Sequence, residues 1–178
     1  MGSVNNLTDC VEYLSWTFFF RRLIMNPSYY QLQEFTNEAV SEFLSNLING
    51  ALGDLKDAGC ISFDEESDSL FSTPLGKIAS TYYIDYQTAA FFQDQVTNLT
   101  SEEATVQNLC FVLSHATEYS ELPVRHCEDE MNAELATKLP WPLAEDENFE
   151  SAHVKTFLLL QAHFNRTPLP VTGKNINI

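Results

Sequence analysis

Glycine and positive charge are both scarce in this chain: 6 of its 178 residues are Gly, and 9 Lys and Arg stand against 25 Asp and Glu. The formal net charge of −16 excludes a protein that coats nucleic acid by charge alone, because such binding relies on clustered cations displacing counterions from the phosphates. The deficit is not stored in a tail. Split after Ala90, the first half carries 4 basic and 12 acidic residues and the second 5 and 13. Acidity spread this evenly serves solubility and mutual repulsion. No apolar run approaches the roughly 18–20 residues that a membrane-spanning helix needs. The richest stretch, Trp16 to Phe20, is cut off by Arg21 and Arg22 and follows the acidic Asp9 and Glu12, unlike the basic start of a signal peptide. Cys10, Cys60, Cys110 and Cys127 form no CxxC pair, so free, buried thiols in an intracellular protein are the expectation.

The chemistry of nucleotide hydrolysis is missing too. A phosphate loop needs glycines whose N–H groups cradle the phosphates, then Lys and Ser or Thr. Gly76-Lys77 is followed by Ile78 and has Phe71 where the first glycine belongs, and Gly173-Lys174 is followed by Asn175. Asp64-Glu65 ends a short strand as a magnesium-holding pair would, but without a phosphate loop it reads as turn chemistry. His126 and Cys127, followed by Glu128 and Asp129, point in different directions at a helix start, whereas zinc needs four convergent ligands. No catalytic, cofactor or metal residues are therefore assigned.

What the chain does have is a core. Hydrophobic residues make up 44% and aromatic residues 12%, too much apolar area for a disordered segment. The length suits one domain or two small ones. Thr8 or Asp9 caps an expected helix running to Met25, with an apolar face broad enough to be mostly buried. Asn26-Pro27 stops it. A second helix is expected from Thr36 or Asn37 to Ala58, with Gly50 and Gly53 marking a kink or a close helix contact and Gly59 as its left-handed stop. Alternation in Cys60–Phe63 and Leu70–Ser72, around the polar stretch from Asp64 to Ser69, predicts a hairpin. Thr73-Pro74 opens a further helix. Short helices follow over Gln87–Gln95, from a Thr100–Glu103 capping box to Ala116, over Glu128–Leu139, and over Ser151–Asn165. Ala144–Glu150 reads as an acidic linker.

Two basic features remain. Arg21-Arg22 closes the first helix, where positive charge suits the carbonyl end, or it meets a phosphate or an acidic partner. Arg125-His126 precedes the Glu128 helix, where the arginine pins the connection by pairing with Glu118, Glu121 or Asp129, or makes the same kind of outside contact.

Four ordered motifs carry a resemblance. Tyr13 to Tyr30 (YLSWTFFFRRLIMNPSYY), Thr73 to Tyr83 (TPLGKIASTYY), Glu118 to Asp129 (EYSELPVRHCED) and His153 to Arg166 (HVKTFLLLQAHFNR) resemble the large two-cassette superfamily 2 RNA/DNA helicases. Within that family they are similar to the second cassette of the signal-cointegrator branch and to its spliceosomal relative. The resemblance implies a mainly α chain. A winged-helix domain with a small β-hairpin would span residues 1–72, short of its first residues, and a partial helical bundle of the Sec-family type would span 73–178. It also implies a piece of a helicase whose two RecA-like, ATP- and magnesium-binding domains lie elsewhere. Residues 171–178 leave the family pattern.

The expected role is accessory: bracing the motor and helping to line the nucleic-acid channel, without enzymatic activity of its own. Arg21, Arg22, Arg125 and His126 are the contact candidates. The expected partners are the RecA-like domains, RNA or single-stranded DNA and other complex subunits, with no membrane, in nucleus or cytoplasm. The alternative is a protein–protein scaffold with an acidic surface. A free-standing winged-helix transcription factor fits less well, since residues 36–58 offer only Lys56 as a cation where a recognition helix presents Arg, Lys or Asn. Truncation of the bundle would also leave an apolar patch near Phe157 to Phe164 uncovered.

Overall fold

The computed structural model describes residues 4–32, 36–64, 67–144 and 147–170. The chain divides into two compact units, Met1–Ala90 and Phe91–Ile178. The mainly α expectation, with helices and one small hairpin in winged-helix order, describes the molecule.

In the first unit, Asn6 caps α1 (Leu7–Ser15): its side chain accepts from the Asp9 N–H at 2.8 Å. The Asp9 carboxylate returns the bond to the Asn5 N–H at 2.8 Å, so the two residues satisfy backbone donors that a helix start leaves free. The expected single helix to Met25 is two. Thr17 is extended (φ −84°, ψ 159°), and its hydroxyl donates to the Leu14 carbonyl at 2.6 Å. A hydroxyl that competes for a backbone carbonyl in this way favours a helix end over a helix interior. The chain restarts as α2 (Phe18–Met25). The expected burial fails with it: across α1 and α2 only Leu23 is buried, while Trp16 is 83% and Phe18 76% exposed. A single-turn 3₁₀ segment, Pro27–Tyr30, follows, and Tyr30 stands edge-on to Phe19 at 5.3 Å and Phe43 at 6.4 Å between ring centroids.

Thr36 starts α3 (Asn37–Asp57) by accepting from the Ala39 N–H at 3.1 Å. Gly59 (φ +69°) ends it: the Gly59 N–H reaches the Lys56 carbonyl and the Cys60 N–H the Leu55 carbonyl, both at 2.9 Å. This paired closure needs a residue tolerant of left-handed backbone. Gly50 and Gly53 mark no close helix contact, because a methyl group at either would meet nothing within 4 Å. Strands β1 (Ile61–Asp64) and β2 (Ser69–Ser72) pair antiparallel, Ile61 opposite Ser72 and Phe63 opposite Leu70. Leu70 is buried, and its N–H donates to the Asn5 carbonyl at 2.7 Å, which ties the hairpin to the root of α1. At the hairpin tip the Asp64 carboxylate accepts from the Ser67 hydroxyl at 2.7 Å. Glu65 and Glu66 lie outside the described residues, as do Glu145, Asp146 and the tail from Val171, so the readings made on them stay with the sequence.

Helix α4 (Pro74–Tyr82) is stitched to the end of α3. Thr73 accepts from the Gly76 N–H at 3.1 Å while its hydroxyl donates to the Gly59 carbonyl at 2.7 Å. Its own N–H donates to the Cys60 carbonyl at 3.1 Å. A methyl group on Gly76 would fall 2.0 Å from that same carbonyl oxygen. Cys60, Ala79 and Ala89 form the buried cluster here, with Leu55, Ala58, Leu75 and Tyr86 against it. Helix α5 (Tyr86–Asn98) runs past the division between the units.

In the second unit only the glutamate half of the expected capping box forms, and it starts no helix. The Thr100 N–H and hydroxyl both donate to the Glu103 carboxylate, at 3.1 and 2.7 Å. These bonds, the hydroxyl's foremost, hold Glu103 below the usual carboxylate range. Thr105 is the actual cap, accepting from the Asn108 N–H at 3.2 Å, and α6 (Val106–Ser114) begins after it. A 3₁₀ turn, Thr117–Tyr119, leads to α7 (Glu128–Ala136), which stops short of Leu139, and then α8 (Ala152–Asn165). Leu135, Leu139, Val154, Leu158 and Ala162 make the core, closed by Ala136, Leu143 and Phe149. The expected apolar patch on the last helix is a correction: Phe157 and Leu158 are 2% and 0% exposed, and only Phe164, at 59%, stands out. Phe157 packs edge-on to Phe111 at 5.6 Å and parallel to Trp141 at 6.4 Å. Gln161, fully buried, accepts from the Trp141 N–H at 3.1 Å and donates to the Trp141 carbonyl at 3.2 Å. Of the thiols, Cys60 and Cys110 are buried and pushed up in pKa by that burial, whereas Cys127 is exposed, against expectation.

The two kinds of glycine separate in a stability measurement. Gly76→Ala must displace backbone at Cys60 and is expected to cost about 3 kcal/mol. Gly53→Ala, with open space around it, is expected to gain about 1 kcal/mol from helix propensity. Thermal melts of the two variants should move in opposite directions.

Candidate functional site

The Arg125-His126 candidate sits on a short connection whose backbone is held from one side by a single ion pair. Lys155, on the first turn of α8, donates to the Pro123 carbonyl at 2.7 Å and pairs with the Glu128 carboxylate at 2.8 Å. The other oxygen of Glu128 accepts from the Arg125 N–H at 2.7 Å. One carboxylate thus fastens the loop to the start of α7, and one ammonium fastens both to α8. Their side chains are only 12% (Lys155) and 24% (Glu128) exposed, so the pair is screened less than a surface bridge. The Arg125 N–H, then Lys155, hold the Glu128 carboxyl below its ordinary value. Cys127 takes left-handed backbone (φ 65°) immediately before the helix. The sequence reading gave Arg125 either a pinning role through Glu118, Glu121 or Asp129 or an outside contact. Lys155 and Glu128 hold the backbone, and Arg125 is held by its N–H.

Held this way, Arg125 and His126 present exposed side chains along an open depression of about 450 Å³, which Val124, Cys127, Asp129, Glu130 and Glu150 also line. Three carboxylates beside two basic groups do not make a general polyanion sink. Among the described residues no three His, Cys, Asp or Glu side chains gather as a metal site would require.

Arg21 and Arg22 belong to the first unit and are exposed on the last two turns of α2. The Arg22 guanidinium lies 5.6 Å from the centroid of the Tyr29 ring, a cation–π distance. Tyr29 and Lys155 escaped the sequence reading. The signal for Lys155 was its place inside the His153–Arg166 motif, among residues read as a helix stripe. Tyr29 had its place inside the Tyr13–Tyr30 motif, two residues after the helix-stopping proline.

The Glu128 carboxylate gives the loop a pH dependence. Its folded pKa lies below the unfolded value of about 4.5, so its stabilisation is present above that value and lost as pH falls through the folded one. Hydrogen exchange over residues 122–127 is expected to speed up in that acid window in the natural chain. Glu128→Gln should show fast exchange already at neutral pH and no further acid step. Lys155→Ala, which strips the Pro123 carbonyl and the carboxylate of their partner, is expected to cost about 2 kcal/mol at pH 7, read from a denaturant midpoint.

Among the described residues no helix is long and apolar enough to cross a membrane. The family model of the winged helix-turn-helix domain matches residues 1–65, and that of the Sec63 Brl domain residues 72–174. The chain is 44% identical over 169 residues to activating signal cointegrator 1 complex subunit 3 of Bos taurus, covering 95% of this chain and 8% of that protein. It is 40% identical over 177 residues to a DExH-box ATP-dependent RNA helicase of Arabidopsis thaliana, covering 99% of this chain and 8% of the other. To the U5 small nuclear ribonucleoprotein 200 kDa helicase of Homo sapiens it is 41% identical over 167 residues, 94% of this chain and 8% of that one. The chain therefore spans less than a tenth of the length of these relatives. With a helical second unit, a hairpin-bearing first one and a matched model for each segment, the chain belongs to the Sec63 Brl domain family, with a winged helix-turn-helix domain ahead of it.

Proposed function

We propose that this chain acts as an accessory C-terminal segment of an ATP-dependent RNA/DNA helicase, bracing the motor and helping to line the channel for nucleic acid. The observation that carries the reading is the alignment of nearly the whole chain, in order, with proteins named as helicases. In this reading the RecA-like domains of the same helicase are the principal partners, other subunits of its complex are further ones, and ATP and magnesium are bound by the motor. On the same reading the chain has no ATPase activity of its own, and the backbone at Gly76, where a side chain would meet the Cys60 carbonyl, supports a packing role for that glycine. Residence in nucleus or cytoplasm follows the same proposal, as relatives are named for a cointegrator complex and a small nuclear ribonucleoprotein. Arg21, Arg22, Arg125 and His126 are the proposed contacts to nucleic acid or to a partner.

The test is association and turnover. The purified chain is expected to co-purify with the paired RecA-like domains of a matching helicase and to show no ATPase activity by itself. Turnover by the chain alone would overturn the reading, as would failure to associate with the motor. Capture of basic proteins with no binding to nucleic acid at low salt would favour an acidic scaffold instead.

A further inference from the structure

The first unit holds an exposed aromatic and cationic surface that the bracing role does not need. From Tyr13 to Leu32 the sequence contains no Asp or Glu, in a chain with 25 of them, while Arg21 and Arg22 are two of its nine cations. Tyr29 is 72% exposed, and its ring has neighbours on the aromatic side. It stands edge-on to Tyr30 at 5.0 Å, and Tyr30 is in turn wedged against Phe19 and Phe43. Arg22 lies over the Tyr29 ring, and Met25, in the last turn of the same helix, is 79% exposed.

An exposed aromatic ring with another ring at its edge, a guanidinium over one face and no carboxylate in its own segment has the chemistry of a base-stacking platform. Every base has a π-face to lay against such a ring, and the adjacent cations meet the backbone phosphates. We infer that Tyr29 and Arg22, with Arg21 beside them, form a stacking site for one base of a single nucleic-acid strand. This rests on the channel-lining reading and names the residues by which the first unit would take part in it. The net charge of the chain makes the site local: away from the platform the surface repels the strand, so the contact positions one nucleotide and does not coat a length of it.

The experiment is an anisotropy titration of the full chain with a fluorescent 12-nucleotide oligouridylate at low salt. Tyr29→Ala is expected to weaken binding about tenfold, and Tyr29→Phe to bind as the natural chain does. Arg22→Ala should weaken binding and flatten the slope of log affinity against log salt by about 0.7. Photocrosslinking should mark Tyr29. Oligodeoxythymidylate is expected to bind comparably, and a duplex of equal length much more weakly, because paired bases offer no free face.

Binding of Tyr29→Ala like the natural chain, with Arg125→Ala weakened, would overturn the platform and leave the channel-lining reading standing. No binding of any oligonucleotide by the natural chain would overturn the platform. Protection of Tyr29 by the RecA-like domains, with no crosslink to the oligonucleotide, would assign the surface to a protein neighbour and overturn the inference.

Discussion

The first unit depends on the Cys60 carbonyl. It accepts the Thr73 N–H at 3.1 Å and the Thr73 hydroxyl at 3.0 Å, and the absent side chain of Gly76 lets α4 close on it. Three elements meet there: the glycine stop of α3, the root of β1 and the cap of α4. None could shift without breaking a polar contact that is partly withdrawn from water, and such a group left without a partner is costly. The small residues around it, Cys60, Ala79 and Ala89, are what close approach of backbone requires. The hairpin is too short to be stable alone, and it stands because this joint holds one strand and Asn5 the other.

Where the residues carried their own local chemistry, the sequence was legible. Thr36 and Thr73 start helices, and Gly59 ends one, because hydroxyl caps and left-handed glycine act on their immediate neighbours. The hairpin registered for the same reason. Misreadings came where a residue had two local uses. Thr17 sits inside a helical apolar pattern, and only its bond to the Leu14 carbonyl turns it into a boundary. Thr100 has capping-box spacing, but its hydroxyl donates to Glu103, so the helix waits for Thr105. The candidate site was legible only in part. Arg125 and His126 were visible as a basic pair, whereas the Lys155 that holds their loop lies 30 residues further along Arg125's own chain and no spacing rule connects them.

The second unit solves a different problem, because α8 buries polar groups as well as apolar ones. His153 bonds the Ser114 carbonyl at 2.9 Å and lies parallel to His115 at 5.3 Å. The Asn132 amide donates to the Phe149 carbonyl at 3.0 Å. Among the described residues no buried side-chain nitrogen or oxygen is left without a partner. The bonds of His153 and Gln161 tie α8 to segments that the helix periodicity alone would leave unspecified, while buried Thr156 turns its hydroxyl back to the Ala152 carbonyl of its own helix at 2.8 Å.

Gln161 works as a ruler. Its amide spans one distance, and both ends are answered by the backbone of one residue, the N–H and the carbonyl of Trp141. Sliding α8 by one position would bring Leu160 or Ala162 to that spot and orphan a donor and an acceptor together. Leucine at this position would fill the space and keep the hydrophobicity, yet it would erase one of the polar contacts, alongside those of His153 and Lys155, that tell one setting of the helix from its neighbours. The amide therefore contributes uniqueness more than adhesion, and a chain that kept every apolar residue but lost this one would still collapse with less to tell it where to stop.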